Sequence, residues 1–343
     1  MEFVVLIAII IILALLYDFL NGANDSANAI ATVIATKALT PLKALALASF
    51  FNLLGAFFFT EVAKTIGKGI VSNTDLATNV FLLVLISGLL GATLWTYLCT
   101  SVGIPISVTH ALIGALLGAG LVAGGAGIIQ WEVLTKKVFV GIALGPLAGF
   151  LAGSLLFSLA SWLIYLFFKH IPPTETGELF KKLQIVSASL MAYSHGMNDT
   201  QNAMGVITAA LITGGFIVTH PADQFPVPLW VKLLCGSMMA LGTLLFGWKV
   251  IETMGWRLTK LEPKHGFSAE TGAGLAIAAV SLVGMPVSTT HVIGSAVIGG
   301  TFFQSLRRIR WSEVGRMLTA WVITIPLSAL FGGISYWLLR FAL

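Results

Sequence analysis

The chain alternates between long apolar runs and short polar interruptions. It opens on MEFVVLIAIIIILALLY, and further apolar runs cover Phe81–Leu98, Val138–Phe168 and Trp321–Leu343. These approach or exceed the roughly 20 residues that an α-helix needs to cross a bilayer. Shorter apolar runs lie between them, at Leu42–Ala63, Thr109–Val122, Leu229–Ile251, Ala269–Val283 and Thr290–Phe303. Polar residues enter as compact motifs at the ends of these runs. The longest clearly polar stretch is the joint KHIPPTETGELFKK, which follows Phe168. The pattern predicts a bundle of membrane helices, some of them broken or re-entrant, around a few buried polar motifs.

Those motifs occur twice. Gly22-Ala-Asn-Asp-Ser-Ala-Asn-Ala29 returns 174 residues later as Gly196-Met-Asn-Asp-Thr-Gln-Asn-Ala203. Gly103-Ile-Pro-Ile-Ser-Val-Thr-His110 returns 181 residues later as Gly284-Met-Pro-Val-Ser-Thr-Thr-His291. Trp131 and Pro146 then match Trp311 and Pro326, both 180 residues apart. Three blocks in one order at nearly one spacing make two homologous halves. The first transmembrane repeat is residues 1–168, a polar inter-repeat loop is 169–183, and the second repeat is 184–343. Each half reads as a helix running into the Asn-Asp motif, then two further runs, a short apolar helix after Gly-x-Pro, and a long final run. Matching interruptions in two repeats point to a secondary transporter, with substrate bound at the broken helices. The four-arginine loop 305–316 corresponds to loop 124–137, which has Lys136 and Lys137 against Glu132. That inequality favours inverted repeats, with the four-arginine loop cytoplasmic.

Composition agrees. Of 343 residues, 57% are hydrophobic and 10% charged, whereas a soluble domain carries about 25% charged residues. The formal charge of +5 is confined to short loops, so it indicates a lipid surface and not nucleic acid. Cys99 and Cys235 lie inside apolar runs and give neither a disulfide framework nor a metal spacing. The N-terminus lacks a basic region and a cleavage site, so residues 3–20 read as a retained helix. No Walker motif and no H-E-x-x-H ligand set is present, which speaks against an ATP-driven pump and a metallohydrolase. Duplicated broken helices speak against a channel, which would need a pore lined by rings or filters.

An ionised aspartate in hydrocarbon costs a few kcal/mol even on insertion scales. Asp25 and Asp199 therefore need a partner or a cavity, and neither motif contains Lys or Arg. Their neighbours are Asn24, Asn28, Asn198 and Asn202. Such carboxylate and amide oxygens suit a hard cation such as Na⁺, as they do Ca²⁺ and Mg²⁺. Gly22 and Gly196 are expected to loosen the helix and free carbonyls for the ion. The bland reading is capping of a helix that restarts after a loop. In the Gly-x-Pro motifs the proline stops one helix, and Ser107, Thr109, Ser288, Thr289 and Thr290 open the next. Two helix N-termini with hydroxyl donors make an anion site without arginine, suited to a tetrahedral oxyanion such as phosphate or sulfate. Ordinary N-capping is the plainer reading. His110 and His291 read as proton carriers or, preferably, as buried neutral histidines that fix local hydrogen bonds, and Glu61 as a snorkelling interfacial residue. Glu270, whose counterpart is Leu89, lies between ion coupling and an interfacial cap.

The segments GANDSANAIAT, HGMNDTQNAMGVI, GIPISVTHALIGA and GMPVSTTHVIGSAVIGG resemble the paired signatures of the Pit family of inorganic phosphate transporters, over nearly the whole chain. The resemblance implies an all-α polytopic protein of the cell membrane that imports phosphate by Na⁺ or H⁺ symport with alternating access. It implies no cofactor, no enzyme activity and possible homo-oligomers. It associates Asp25, Asn28, Asp199 and Asn202 with the cation, and Ser107, Thr109, Ser288, Thr289 and Thr290 with phosphate. Some members carry a glutamate where this chain has Asn52, which leaves coupling ratio and ion open. A sulfate permease of the same fold is the alternative. The short joint resembles that of compact prokaryotic members.

Overall fold

The computed structural model describes residues 2–72, 76–219, 225–245 and 247–341. The remaining residues of the two repeats, including the last two of the final apolar run, lie outside the described residues.

The described residues are almost wholly helical. In the first half these are α1 (Glu2–Ala35), α2 (Pro41–Gly55), α3 (Glu61–Gly69), α4 (Thr78–Val102), α5 (Val108–Gly124) and α6 (Trp131–Val133). Helix α6 runs through a π-helical stretch, Leu134–Phe139, into α7 (Val140–Phe167). In the second half they are α8 (Pro173–Thr213), α9 (Leu229–Leu245), α10 (Trp248–Glu252), α11 (Pro263–Leu282), α12 (Thr289–Phe302) and α13 (Trp311–Leu339). Four are long and apolar enough to cross a membrane: α1, α4, the continuous Trp131–Phe167 and α13.

The repeat is visible in the backbone as well as in the motifs. After α1, Lys37 takes a left-handed φ of 58° and Ala38 N–H donates to the Val33 carbonyl. After α8, Gly215 takes φ 76° and Phe216 N–H donates to the Leu211 carbonyl. Gly103 (φ 77°) and Gly284 (φ 69°) end α4 and α11 in the same conformation, the usual way to satisfy terminal carbonyls. An isolated antiparallel bridge joins Val71 to Ile129, and another joins Thr259 to Ile309. Thr65 Oγ1 donates to the Gly284 carbonyl at 2.7 Å, and Thr253 Oγ1 to the Gly103 carbonyl at 2.9 Å. Each half thus braces the break of the other through a threonine.

Packing also crosses between the halves. Helix α13 lies on α4 and α5, while α7 lies on α11 and α12. Helix α1 packs on α9, and α2 on α8. Two apolar cores result, and both draw residues from both halves. One runs from Leu6 through Leu89 and Leu112 to Tyr336, the other from Ala27 through Met191 and Ile293 to Trp321.

Two expectations are corrected here. The Asn-Asp motifs do not break their helices: α1 and α8 run straight through them. Gly22 and Gly196 serve close packing instead. A Cβ on Gly22 would collide with the Met239 carbonyl oxygen on α9, and one on Gly196 with the Asn52 carbonyl oxygen on α2. The joint is also not a loop throughout, since α8 begins at Pro173. Proline is favoured in that first turn because it gives up only an N–H that a helix N-terminus leaves unpaired.

Candidate functional site

The breaks fall where the sequence places them. Ser107 and Ser288 are the N-caps of α5 and α12, and their hydroxyls accept from the N–H of His110 (3.1 Å) and His291 (3.2 Å). Such a cap satisfies one of the four N–H groups a helix start leaves open. Asn24 braces the first break, donating to Thr100 Oγ1 at 2.8 Å and accepting from Ile106 N–H at 3.3 Å. Asn198 does the same for the second. With its oxygen toward Ser281 Oγ, its nitrogen donates to the Val287 carbonyl at 3.2 Å and to Asp199 Oδ1 at 2.8 Å. These two asparagines hold the break geometry, a role the spacing alone did not suggest.

The other motif residues converge across the halves. Thr290 Oγ1 donates to Asp25 Oδ1 at 2.7 Å, and Asn28 Nδ2 to the same oxygen at 2.9 Å. The Asn28 nitrogen also reaches Thr289 and Thr290, at 3.2 and 3.0 Å. Thr289 Oγ1 donates to Asp199 Oδ2 at 2.9 Å. Asn202 Nδ2 donates to Thr109 Oγ1 at 2.8 Å, and that hydroxyl lies 3.5 Å from Asp199 Oδ1. Both carboxylates are 1% exposed, so their charge is shielded by neighbouring side chains and not by solvent.

His195, one residue before Gly196, completes the cluster. Its Nε2 lies 3.4 Å from Asp199 Oδ2 and 3.8 Å from Asp25 Oδ2. Its Nδ1 lies 2.9 Å from Asn52 Oδ1. The Asn52 amide donates to Thr243 Oγ1 at 3.1 Å, so its oxygen faces the imidazole and the Nδ1 proton points to it. Nε2 then faces the two carboxylates, as an acceptor in the neutral ring or as a donor in the imidazolium. One acceptor atom from each of the three residues lies within 4.8 Å of the others. Two buried carboxylates this close need a positive charge between them, which a bound cation or a proton on the His195 ring supplies. Asn28 Oδ1 and Asn202 Oδ1 are buried with no hydrogen-bond partner, which adds two unused oxygens to the same motifs. A signal for His195 exists in the sequence: aligned motifs place Asn21 opposite it.

Glu270 is fully buried, which removes the reading of an interfacial cap. Ser187 Oγ donates to its Oε2 at 2.5 Å, Gln184 Nε2 to its Oε1 at 3.2 Å, and Thr32 also donates to Oε1. Thr32 is one turn beyond Asn28, and Ser187 two turns before His195. The same helices therefore carry both clusters. The His110 and His291 rings meet edge-on with centroids 4.9 Å apart, and His291 stacks on Trp321. Neither nitrogen of the His110 ring has a partner, so that ring does not fix local hydrogen bonds as expected. Glu61 is exposed beside Gly284.

Paired Asn-Asp motifs thus face two helix N-termini across the halves, in a chain built of apolar helices. Residues 21–332 match the model of the phosphate transporter family. The chain belongs to that family. Its members are transporters and not enzymes. The chain is 40% identical over 336 residues to a Bacillus subtilis (strain 168) protein named "Probable low-affinity inorganic phosphate transporter", with 98% of each chain covered. A protein of the same name from Rhizobium meliloti (strain 1021) is 40% identical over 328 residues, covering 95% of this chain and 94% of the relative. A solved structure named "The sodium-dependent phosphate transporter" superposes with a TM-score of 0.87 at 26% identity, over 99% of this chain and 100% of the other. Family membership and the apolar helices make the chain an integral membrane protein.

Proposed function

We propose that the chain imports inorganic phosphate across the cell membrane by Na⁺ symport, through alternating access of two inverted repeats. The observation that carries the cation is the convergence of Asp25, Asp199 and His195 Nε2 in a buried space without lysine or arginine. Asp25, Asp199, Asn28 and Asn202 supply oxygens to Na⁺, and Glu270 with its hydroxyl partners holds a further cation. The solved relative is named as sodium-dependent, which agrees in the choice of ion.

Phosphate binds at the facing N-termini of α5 and α12, on Ser107, Thr109, Ser288, Thr289 and Thr290 and the open N–H groups behind them. Thr289 and Thr290 donate to the two aspartates. A cation between the carboxylates takes over that charge and releases the hydroxyls to an oxyanion. Coupling then follows from shared ligands: each partner binds better when the other is present.

The test is uptake of radiolabelled phosphate into proteoliposomes of the purified chain under an imposed Na⁺ gradient, with a proton gradient as a second arm. Na⁺-driven uptake that resists excess sulfate supports the proposal. Uptake that follows only the proton gradient overturns the ion, and uptake abolished by sulfate overturns the substrate.

A further inference from the structure

A cavity of about 390 Å³ opens between the C-terminal end of α4 and the α9–α10 corner; its wall is mostly apolar, with Thr100, Ser101, Thr243 and Lys249 as the polar lining residues. One side-chain relay leads from its wall to the carboxylates, and a second contact reaches only the helical turn that carries Asp25. Thr100 Oγ1 accepts from Asn24, the neighbour of Asp25. Thr243 Oγ1 accepts from Asn52, whose oxygen faces His195. Lys249 is exposed, and its Nζ donates to the Ser101 carbonyl at 2.7 Å. An ammonium has three N–H donors, and this contact uses one. The pseudo-equivalent residue beside the other break is Glu61: Lys249 packs on Gly103 as Glu61 packs on Gly284. The two breaks therefore differ in the sign of the charge beside them.

We infer that this cavity is the aqueous vestibule by which phosphate reaches the carboxylate cluster, and that Lys249 gathers the oxyanion at its mouth; the identity of the anion rests on the function proposed above. A single cation at the rim of a low-dielectric cleft raises the local concentration of a dianion and speeds its capture. Lysine suits this task because it binds phosphate as a point charge without fixed geometry. A lysine there also satisfies a carbonyl at a helix C-terminus, so a test must separate gathering from capping.

The experiment places a cysteine at Ser101 and measures its labelling in proteoliposomes by small methanethiosulfonate reagents, one anionic and one cationic. The unsubstituted chain, with Cys99 and Cys235 buried, serves as the blank. The expected result is that S101C reacts with both reagents, and that inorganic phosphate slows the anionic one. Adding K249Q lowers the anionic-to-cationic rate ratio about threefold or more, and K249R leaves it unchanged. In uptake assays K249Q raises the phosphate KM several-fold with kcat preserved, and high salt reduces that difference. Failure of S101C to label overturns the vestibule. A ratio unaltered by K249Q overturns the gathering role and leaves Lys249 a cap. Labelling needs no transport, so these outcomes stand apart from the choice of coupling ion or substrate.

Discussion

Glu270 and Leu89 occupy equivalent places in the two halves, and their surroundings differ at every polar contact. Around Glu270 stand Thr32, Gln184 and Ser187, with Thr36 Oγ1 donating to Gln184 Oε1 at 2.7 Å. The positions that correspond to these four are Val206, Ile10, Leu13 and Ala210. Those side chains belong to or pack against the apolar core around Leu89. One fold thus holds a buried carboxylate in one half and hydrocarbon in the other. A buried carboxylate is tolerated only with its own set of donors, and the donors are present in the half that holds it and absent from the other. The Asn-Asp motifs behave differently, since both halves keep Asp, Asn and hydroxyl and point them at one shared space. The Asp, Asn and hydroxyl positions keep the symmetry at the shared cluster, His195 opposite Asn21 departs from it there, and one or two helical turns away it is abandoned.

The largest effect is expected at that cluster. D25N and D199N should each lower gradient-driven phosphate uptake about 100-fold or more, since loss of even an outer-shell partner of a metal ligand costs about 10–100-fold. Retention on size-exclusion chromatography checks that the variants remain folded. Near-normal uptake in both would remove the aspartates from the cation site. Next in size is the exchange of the unequal pair. L89E puts a carboxylate where the counterparts of the four Glu270-side polar residues are apolar and should cost about 3–5 kcal/mol, seen as a lower unfolding temperature in detergent. E270L should fold, and its uptake should depend less steeply on the concentration of the driving cation. An unchanged steepness would make Glu270 a structural residue.

Smaller effects test the parts that are alike. S107A and S288A each remove an N-cap and should cost about 1 kcal/mol, equally in the two halves by thermal unfolding. A rise in phosphate KM in both would add substrate contact to capping. Smallest is Lys37, held at φ 58° where its counterpart is Gly215. K37G should raise stability by about 0.5 kcal/mol, relief of the left-handed penalty less the extra freedom of glycine in the unfolded chain. G215K should lower it.

Much of the fold was legible in the sequence because the signals are local. Gly-x-Pro-x-Ser carries its own helix stop and its own cap, and the structure has both at the expected residues. The role of Gly22 and Gly196 was not local. What they admit is the backbone of Met239 and Asn52, far along the chain, so an expected unwinding turned out to be close packing. The bracing by Asn24 and Asn198 was hidden for a related reason, since a motif shows that amides are present and not which way they face. The donors around Glu270 come from α1 and α8, at separations that no pattern reading joins. His195 stood in plain view as a break in the repeat, opposite Asn21, and comparing the two halves position by position would have singled it out.

The exchange of final helices has a consequence for biosynthesis. When the ribosome has finished α7, the surface that α7 is to cover on α11 and α12 does not yet exist. The groove on α4 and α5 likewise stays open until α13 is made. The first half therefore waits in the bilayer with two incomplete faces, and the bundle closes on itself only after the second half has been translated. A nascent chain truncated before Trp311 should be a substrate for membrane quality-control proteases. Separately expressed halves should survive together and not alone.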